Sequence, residues 1–203
     1  MQTIAIFAVV TAQGKTIYII GGCNGAGKTT ASFTILPDII DCKEFVNADE
    51  IAKGLSPFQP ESVSFEAGRI MLQRIEEMVK QGRVFAFETT LSSKIYRKRI
   101  ESARMQGYSV FLFYFWLQSP ELAMERVRVR VMEVGHYIDP ETIVRRYFRG
   151  IYNLFNVYLP LANNAMILDN STGAPELLAE KTNNGEMFIS NSNGFQQLID
   201  IAK

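Results

Sequence analysis

A glycine-rich segment, GCNGAGKT from Gly22 to Thr29, constrains this chain more than any other feature. It fits the phosphate-binding pattern G-x-x-x-x-G-K-[ST] at each fixed position. It follows TIYIIGG, a β-branched and aromatic run from Thr16 that predicts a buried strand, and it precedes a predicted helix that begins near Lys28. This context distinguishes it from a glycine-rich turn arising by chance, and it predicts the Walker A loop of an α/β nucleotide-binding domain.

The loop predicts how ATP, or a close relative, would be held. Glycines allow backbone N–H groups to turn toward phosphate oxygens, and the following helix presents the positive end of its dipole. We expect Lys28 to reach the β and γ phosphates and the Thr29 hydroxyl to ligate Mg²⁺. The residues expected to bind the cofactors ATP and Mg²⁺ are Gly22, Asn24, Gly25, Ala26, Gly27, Lys28, Thr29 and Thr30.

The rest of the chain alternates between predicted strands and helices. Further buried strands are predicted in four places, at 45–46, 84–88, 108–117 and 165–169. The first helix should stop by Leu36, because Pro37 cannot continue it. A long amphipathic helix is predicted over 61–80 and another helix over 94–106. This alternation predicts a doubly wound α/β fold with a mainly parallel sheet, of the kinase-like P-loop NTPase type, carrying a helical lid.

Two cap signals define the helices of the predicted lid. Ser119 and Pro120 predict a helix start, although RVRVRV from Arg126 alternates like a strand. Asp139 and Pro140 repeat the signal for a helix that continues to Pro160. We therefore expect a P-loop kinase-like domain over 1–170 with its lid around 126–149. Residues 171–203 should form a C-terminal extension of the same domain, with a possible hairpin at 184–185 and a final helix near 195–201.

Composition excludes several classes of partner. The 203 residues carry 21 basic and 21 acidic side chains, so no net charge attracts nucleic acid or an anionic membrane surface. Two cysteines make no disulfide framework and fit a reducing cytoplasm. The apolar start, MQTIAIFAVVTAQ, lacks a positive leader and is too short to span a bilayer. A first strand, or extra residues ahead of the true start, is therefore favoured over a cleaved signal.

Two carboxylates are candidates for chemistry. Asp49 follows a short predicted strand, at the strand end where α/β folds keep ligands, and could orient a phosphoryl acceptor and receive its proton. Alternatively, Asp49 only caps the helix that would begin at Glu50. Glu88 ends a buried strand, where a carboxylate is costly unless it binds metal, substrate or a hydrogen-bond donor. A satisfied core acid is the alternative for Glu88.

Six arginines gather around the segment VGHYID, opposed there by only three acids. They predict a lid whose guanidinium groups close over the transferring phosphate, although a solvated helix face would also explain any one of them. His136, the single histidine, could touch ligand or simply occupy an exposed loop position. The arginines are Arg126, Arg128, Arg130, Arg145, Arg146 and Arg149.

Several further segments together carry a family resemblance: NADEIA from Asn47, AGR from Ala67, FETTLSS from Phe87, and GHYIDPETIVRRYFRGIYNLF from Gly135. With the loop, they make residues 16–169 resemble the zeta toxin family and its chromosomal relatives, which are small bacterial P-loop kinases. The resemblance departs from the pattern at Val134, where many relatives have glycine.

The resemblance implies a function, namely ATP-dependent phosphorylation of the 3′-hydroxyl of UDP-N-acetylglucosamine, with an antitoxin protein as a possible partner. It implies that Asp49 is the base and that Asn47, Glu88 and Thr89 bind the substrate. It also implies that two lid arginines contact phosphate and act in catalysis with Lys28. We assign these to Arg130 and Arg145, with Arg128 and Arg146 close enough in register to replace them.

Other functions fit the same motifs. A kinase of this architecture could act on another small metabolite or an antibiotic, because acceptor contacts come from scattered side chains. A nucleotide-dependent ATPase switch could instead act through a protein partner. Asp49 discriminates the two classes. A kinase should lose phosphoryl transfer when this carboxylate is removed, whereas the activity of a switch should hardly change.

Overall fold

The computed structural model describes residues 14–38, 40–134 and 138–203. Within these residues, the strands form a single seven-stranded sheet: β1 (Thr16–Gly22), β2 (Phe45–Val46), β3 (Phe85–Thr89), β4 (Ser109–Trp116), β5 (Asn164–Asp169), β6 (Glu176–Lys181) and β7 (Met187–Ile189). Their order is β2-β3-β1-β4-β5-β6-β7. The first five of these are mutually parallel, and β6 and β7 continue the sheet in antiparallel fashion. The predicted α/β fold with a mainly parallel sheet is confirmed.

The helices connect these strands in the alternating pattern that the sequence predicts. They are α1 (Lys28–Asp38), α2 (Ala48–Leu55), α3 (Ser64–Lys80), α4 (Arg97–Met105), α5 (Pro120–Val134), α6 (Pro140–Asn153), α7 (Leu159–Leu161) and α8 (Ser192–Ile201). A 3-10 helix, Pro60–Val63, leads into α3, and a π-helical turn, Leu154–Tyr158, joins α6 to α7.

The first helix ends later than predicted. Pro37 lies inside the last turn of α1, so the expectation that the helix stops by Leu36 is wrong by two residues. A proline this close to a helix end removes only one late hydrogen bond. The carbonyls of Ile35 and Leu36 accept hydrogen bonds from the backbone of Ile40 and Cys42 instead. The helix thus ends at Asp38, one residue beyond the proline, and the segment that follows satisfies two of its last carbonyls.

The centre of the sheet brings the functional segments to one edge. All seven residues of β1 are buried, as expected for a strand covered by helices on both faces. At its carboxyl end, Gly21 pairs in register with Thr89 of β3, and Gly22 with Phe115 of β4. The loops that leave β2, β3 and β1 therefore emerge side by side, and those that leave β4 and β5 follow along the same edge. This edge is where open α/β sheets bind ligands.

The two helices predicted to form a lid, α5 and α6, begin where their caps predict. The hydroxyl of Ser119 accepts a hydrogen bond from the backbone N–H of Leu122, and the carboxylate of Asp139 accepts one from Thr142. The alternating RVRVRV segment is helical, because the cap and the helical contacts outweigh local alternation. The helical face predicted up to Pro160 is also present, but the π-helical turn widens it shortly before that proline.

The segment after β5 is regular rather than loose. A hairpin joins β6 to β7 through a turn in which Gly185 has φ +85°, and α8 begins with the side chain of Asn191 capping the N–H of Gly194. In the described part of the chain, no helix is long and apolar enough to cross a membrane. The expected N-terminal strand and His136 lie outside the described residues.

Two buried tyrosines, one with hydrogen-bond partners for its hydroxyl and one without, allow a test of how hydrogen bonding stabilises the core. The Tyr147 hydroxyl accepts a hydrogen bond from the indole nitrogen of Trp116 and donates one to the carbonyl of Leu117. The Tyr18 hydroxyl is also buried but has no partner among the described residues. We expect Tyr147→Phe to lower the free energy of unfolding by about 1–3 kcal/mol, because two buried groups lose their partner. Tyr18→Phe should be neutral or stabilising, and urea denaturation of both variants measures the contrast.

Candidate nucleotide and acceptor site

The glycine-rich loop adopts the conformation that its composition predicts. Gly22, Gly25 and Gly27 have φ values of +143°, +79° and +81°. These are left-handed conformations, which residues with a Cβ rarely adopt. A Cβ on Gly22 would lie 2.3 Å from the carbonyl oxygen of Phe115. The loop therefore needs glycine at this position for space as well as for conformation.

The carboxylate of Glu88 contacts the two phosphate-loop side chains that are expected to bind phosphate and Mg²⁺, Lys28 and Thr29. It accepts hydrogen bonds from the Thr29 hydroxyl at 2.9 and 3.1 Å and from the Asn47 amide at 3.0 Å. The ammonium group of Lys28 lies 3.6 Å from the carboxylate and donates to the carbonyl of Cys23 at 2.9 Å. Only 8% of the Glu88 side chain is exposed. This buried acid therefore has hydrogen-bond and ionic partners, two from the phosphate loop, Lys28 and Thr29, and one from the start of α2, Asn47.

The structure decides between the two alternatives for the role of Asp49 in its helix. The N-cap of α2 is Asn47, whose side-chain oxygen accepts the N–H of Asp49 at 2.8 Å. The helix begins at Ala48 rather than at Glu50. Asp49 is therefore not the cap, and its carboxylate has no hydrogen bond or ion pair within the described residues. This leaves an exposed carboxylate free to accept a proton from a ligand.

The predicted base, Asp49, and the predicted substrate residues, Asn47, Glu88 and Thr89, all line one open pocket. Its volume is about 250 Å³, and it lies between the phosphate loop, α2 and the segment after β3. Hydroxyl groups from that segment form much of its wall, so the pocket suits a ligand that is rich in hydrogen-bonding groups. Its lining comprises Asn24, Lys28, Asn47, Ala48, Asp49, Met71, Glu88, Thr89, Thr90, Ser92, Ser93, Tyr96 and Arg146.

Of the arginines around the lid, Arg146 is the one that lines this pocket. Its guanidinium group donates to the side-chain oxygen of Asn24 at 3.2 Å. Burial lowers the pKa of Arg146, and the nearby Asp49 carboxylate opposes that shift. Arg145, one residue earlier, is exposed and donates to the hydroxyl of Thr142, and Arg130 of α5 is half-buried and lies outside this lining.

Sequence reasoning left several residues of the site without a role. Ser92, Ser93 and Tyr96 line the pocket, and the hydroxyl-rich run after Thr89 was the signal that could have indicated them. Asn170, which follows β5 and contacts the phosphate loop, had no recognisable signal in the sequence. Its position depends on the pairing of β5 with β4, and no local sequence pattern predicts a pairing between segments so far apart in the chain.

The two buried cysteines are predicted to make the free energy of unfolding fall at alkaline pH. Burial raises the pKa of the Cys23 thiol and of the Cys42 thiol to about 11 each. A thiol whose pKa is higher in the folded chain favours folding below its unfolded pKa, and this contribution disappears as pH rises toward 11. We expect the free energy of unfolding to fall by about 2 kcal/mol or more between about pH 8.5 and 11.

Urea denaturation across this pH range checks the expectation, with the double variant Cys23→Ala and Cys42→Ala as the control. The control should lose less stability over the same range, because its buried thiols are gone. An equal loss in both proteins would assign the pH dependence to other groups.

The strand, the glycine-rich loop with its lysine and threonine, and the pocket at the carboxyl edge of a parallel sheet define a P-loop kinase-like protein. The sequence profile of the Zeta toxin family matches residues 5–159. The chain belongs to this family and is an ATP-dependent kinase.

The chain is also similar to individual known proteins. An uncharacterised protein of Haemophilus influenzae (strain ATCC 51907 / DSM 11121 / KW20 / Rd) is 31% identical over 136 residues, which cover 66% of this chain and 94% of that protein. The AvrRxo1-ORF1:-ORF2 complex solved with ATP is similar in structure, with a TM-score of 0.70, 16% identity and coverage of 97% of this chain and 66% of that chain.

A further solved structure is the PezAT chromosomal toxin-antitoxin system of Streptococcus pneumoniae. It has a TM-score of 0.63 and 16% identity, covering 94% of this chain and 88% of that chain. At such low identity, these two structures support the fold alone.

Proposed function

We propose that this kinase transfers the γ-phosphoryl group of ATP to a hydroxyl of a small substrate bound in the pocket beside Asp49. The observation that carries the proposal is the shared position of Lys28 and Asp49 on the lining of one pocket. A phosphoryl donor on the loop and a hydroxyl on the carboxylate would then meet across this space. Such positioning supplies a large part of the catalysis of phosphoryl transfer.

Each polar residue has a part in the proposed reaction. Asp49 would accept a hydrogen bond from the acceptor hydroxyl, orient it and receive its proton as the new O–P bond forms. Lys28 would exchange the carbonyl of Cys23 and the carboxylate of Glu88 for phosphate oxygens. Arg146 would contribute fixed positive charge near the transferring group, where charge is stabilised without reorganisation.

Arg130 and Arg145 remain our proposal for lid arginines that act after closure. Neither lines the pocket in the present conformation. Arg130 belongs to α5 and Arg145 to α6, and a shift of these helices would be needed to bring the two side chains to phosphate. Arg146 already faces the pocket without such a shift, and it is the first alternative that we would test.

The residues beside the loop also fit Mg²⁺. The Thr29 hydroxyl and the Glu88 carboxylate lie together, and such oxygen donors, with phosphates and water, are what Mg²⁺ prefers. When bound, the ion would neutralise charge on the phosphates during transfer. Thr29 would be its protein ligand, and Glu88 would orient the hydroxyl toward it. Among the described residues no cluster of His, Cys, Asp and Glu offers a ready-made metal cage.

The first candidate acceptor is the 3′-hydroxyl of UDP-N-acetylglucosamine, which the family membership suggests. Asn47, Glu88 and Thr89 would bind it, supported by the hydroxyl groups of Ser92 and Ser93 in the same pocket.

An antitoxin protein is a proposed partner, in line with the toxin-antitoxin system named for one similar structure. Two free, buried cysteines suit a reducing compartment, so we propose the cytoplasm.

The experiment that tests the proposal follows labelled γ-phosphate from ATP with Mg²⁺ to UDP-N-acetylglucosamine, with the product identified by mass. A phosphorylated sugar nucleotide that forms only in the presence of enzyme supports both the reaction and the acceptor. ATP binding without product removes this acceptor, and a panel of metabolites then tests the reaction class. ATP hydrolysis that no acceptor alters would contradict the kinase proposal and favour an ATPase switch.

A further inference from the structure

Asn170, a buried asparagine outside the segments that carry the family resemblance, donates a hydrogen bond to the backbone of the phosphate loop. Asn170 is the first residue after β5 and is only 7% exposed. Its own backbone N–H donates to the carbonyl of Trp116 at 2.9 Å, which ties it to the end of β4. Its position is therefore set by the sheet and not by a loose loop. The family profile ends at residue 159, before this position.

The side chain of Asn170 is directed at the loop backbone. Its amide nitrogen donates to the carbonyl oxygen of Ala26 at 2.8 Å. The approach is so close that a Cβ on Gly27 would lie 2.5 Å from the same nitrogen. The amide oxygen of Asn170 has no hydrogen-bond partner among the described residues. The hydrogen bonding of this side chain is thus confined to one peptide unit of the loop.

That peptide unit matters for anion binding. A phosphate-binding loop works because its N–H groups face the anion and its carbonyl groups face away. The peptide that joins Ala26 to Gly27 carries both groups, so a donor that holds its carbonyl also aims its N–H in the opposite direction. A second carbonyl of the loop, that of Cys23, is held by the ammonium of Lys28, which must leave it to reach phosphate. Asn170 can keep its hold while nucleotide is bound.

We propose that Asn170 is a positioning residue for the phosphate loop, which acts through the Ala26 carbonyl to pre-orient the loop N–H groups toward the nucleotide phosphates. The inference rests on nucleotide binding by the loop and does not depend on the identity of the acceptor. It predicts that the donor on Asn170, and not merely its volume, sets the affinity for phosphate-bearing nucleotides.

The isosteric substitution Asn170→Asp tests this directly. Aspartate has the same shape but, when ionised, has no N–H to donate and places a negative charge behind the loop. We expect the dissociation constant for Mg·ADP, measured by titration calorimetry, to rise about tenfold or more. Asn170→Ala should weaken binding less, because it removes the donor without adding charge.

The pH profile separates a positioning role from a merely structural one. A protonated carboxyl regains an O–H donor for the Ala26 carbonyl and loses its charge. The affinity deficit of Asn170→Asp, taken as a ratio to wild type at each pH, should therefore shrink as pH falls from about 8 to about 5.5. The deficit of Asn170→Ala should not change with pH, because alanine does not titrate.

Asn163→Asp is the matched control. Asn163 precedes β5 at the opposite edge of the sheet, where its side chain accepts from the backbone of Val110 and donates to Asn183. This variant should bind Mg·ADP like wild type. Unchanged affinity in Asn170→Asp, a loss equalled by the control, or a deficit independent of pH would each overturn the positioning role. A wild-type protein that does not bind Mg·ADP would overturn the nucleotide function as well.

Discussion

Replacing Asp49 by asparagine should reduce phosphoryl transfer by about a hundredfold to ten-thousandfold, which is the usual contribution of a positioned general base. The amide keeps the shape of the side chain but cannot receive the proton of the acceptor hydroxyl. Because Asn47 and not Asp49 caps α2, the substitution removes no hydrogen bond on which the helix depends. The affinity for Mg·ATP should therefore stay within about threefold of wild type, because the lost interaction is one with the acceptor hydroxyl and not with ATP.

The measurement is steady-state transfer to the identified acceptor, alongside calorimetric titration of Mg·ATP. Glu50→Gln is the matched control, because it neutralises the next residue of the same helix. Among the described residues, the exposed carboxylate of Glu50 pairs with Lys53 alone. That control should retain wild-type turnover. Near-normal transfer by Asp49→Asn would contradict the general-base role and would move the search to Glu88.

This variant also separates the classes of function. A switch that hydrolyses ATP slowly has no acceptor hydroxyl to deprotonate, so its hydrolysis should be indifferent to an amide at position 49. A kinase should lose transfer while retaining nucleotide. The pocket geometry favours the kinase, because the Asp49 carboxylate and a hydroxyl-rich wall beside the loop form a space that suits a polar acceptor.

Much of the fold could be predicted because its determinants are local. The buried runs from Thr16 and from Tyr108 each contain enough β-branched and aromatic residues to indicate a strand, and both are strands. The cap at Ser119 correctly outweighed the alternation that follows it. The predicted end of α1 is wrong at Pro37, because a proline disrupts a helix less in its last turn than in its interior.

The candidate site could be predicted less completely than the fold. Adjacency of Asn47, Glu88 and the loop follows from strand ends meeting at one edge, which the sequence indicates. Which arginine faces the pocket depends on the rotation of α6 about its axis. Arg145 and Arg146 differ by about 100° around a helix, and only packing against the sheet decides between them. Asn170 depends on a contact between segments far apart in sequence.

Replacing Lys28 by alanine should lower both nucleotide affinity and turnover, with a combined loss of about a thousandfold or more in kcat/KM. The ammonium group is the one lysine charge that lines the pocket, where low exposure strengthens its attraction for phosphate. The change also leaves the buried carboxylate of Glu88 without its neighbouring cation, so the variant should lose stability as well as activity.

The double variant Lys28→Ala with Glu88→Gln distinguishes the two effects. Neutralising Glu88 removes the uncompensated buried charge, so much of the lost stability in urea denaturation should return. Nucleotide affinity should not return, because no cation is restored for the phosphates. If affinity recovered together with stability, Lys28 would act mainly by balancing Glu88 within the folded site. If only stability recovered, the ammonium group itself would hold the nucleotide phosphates, as the loop geometry predicts.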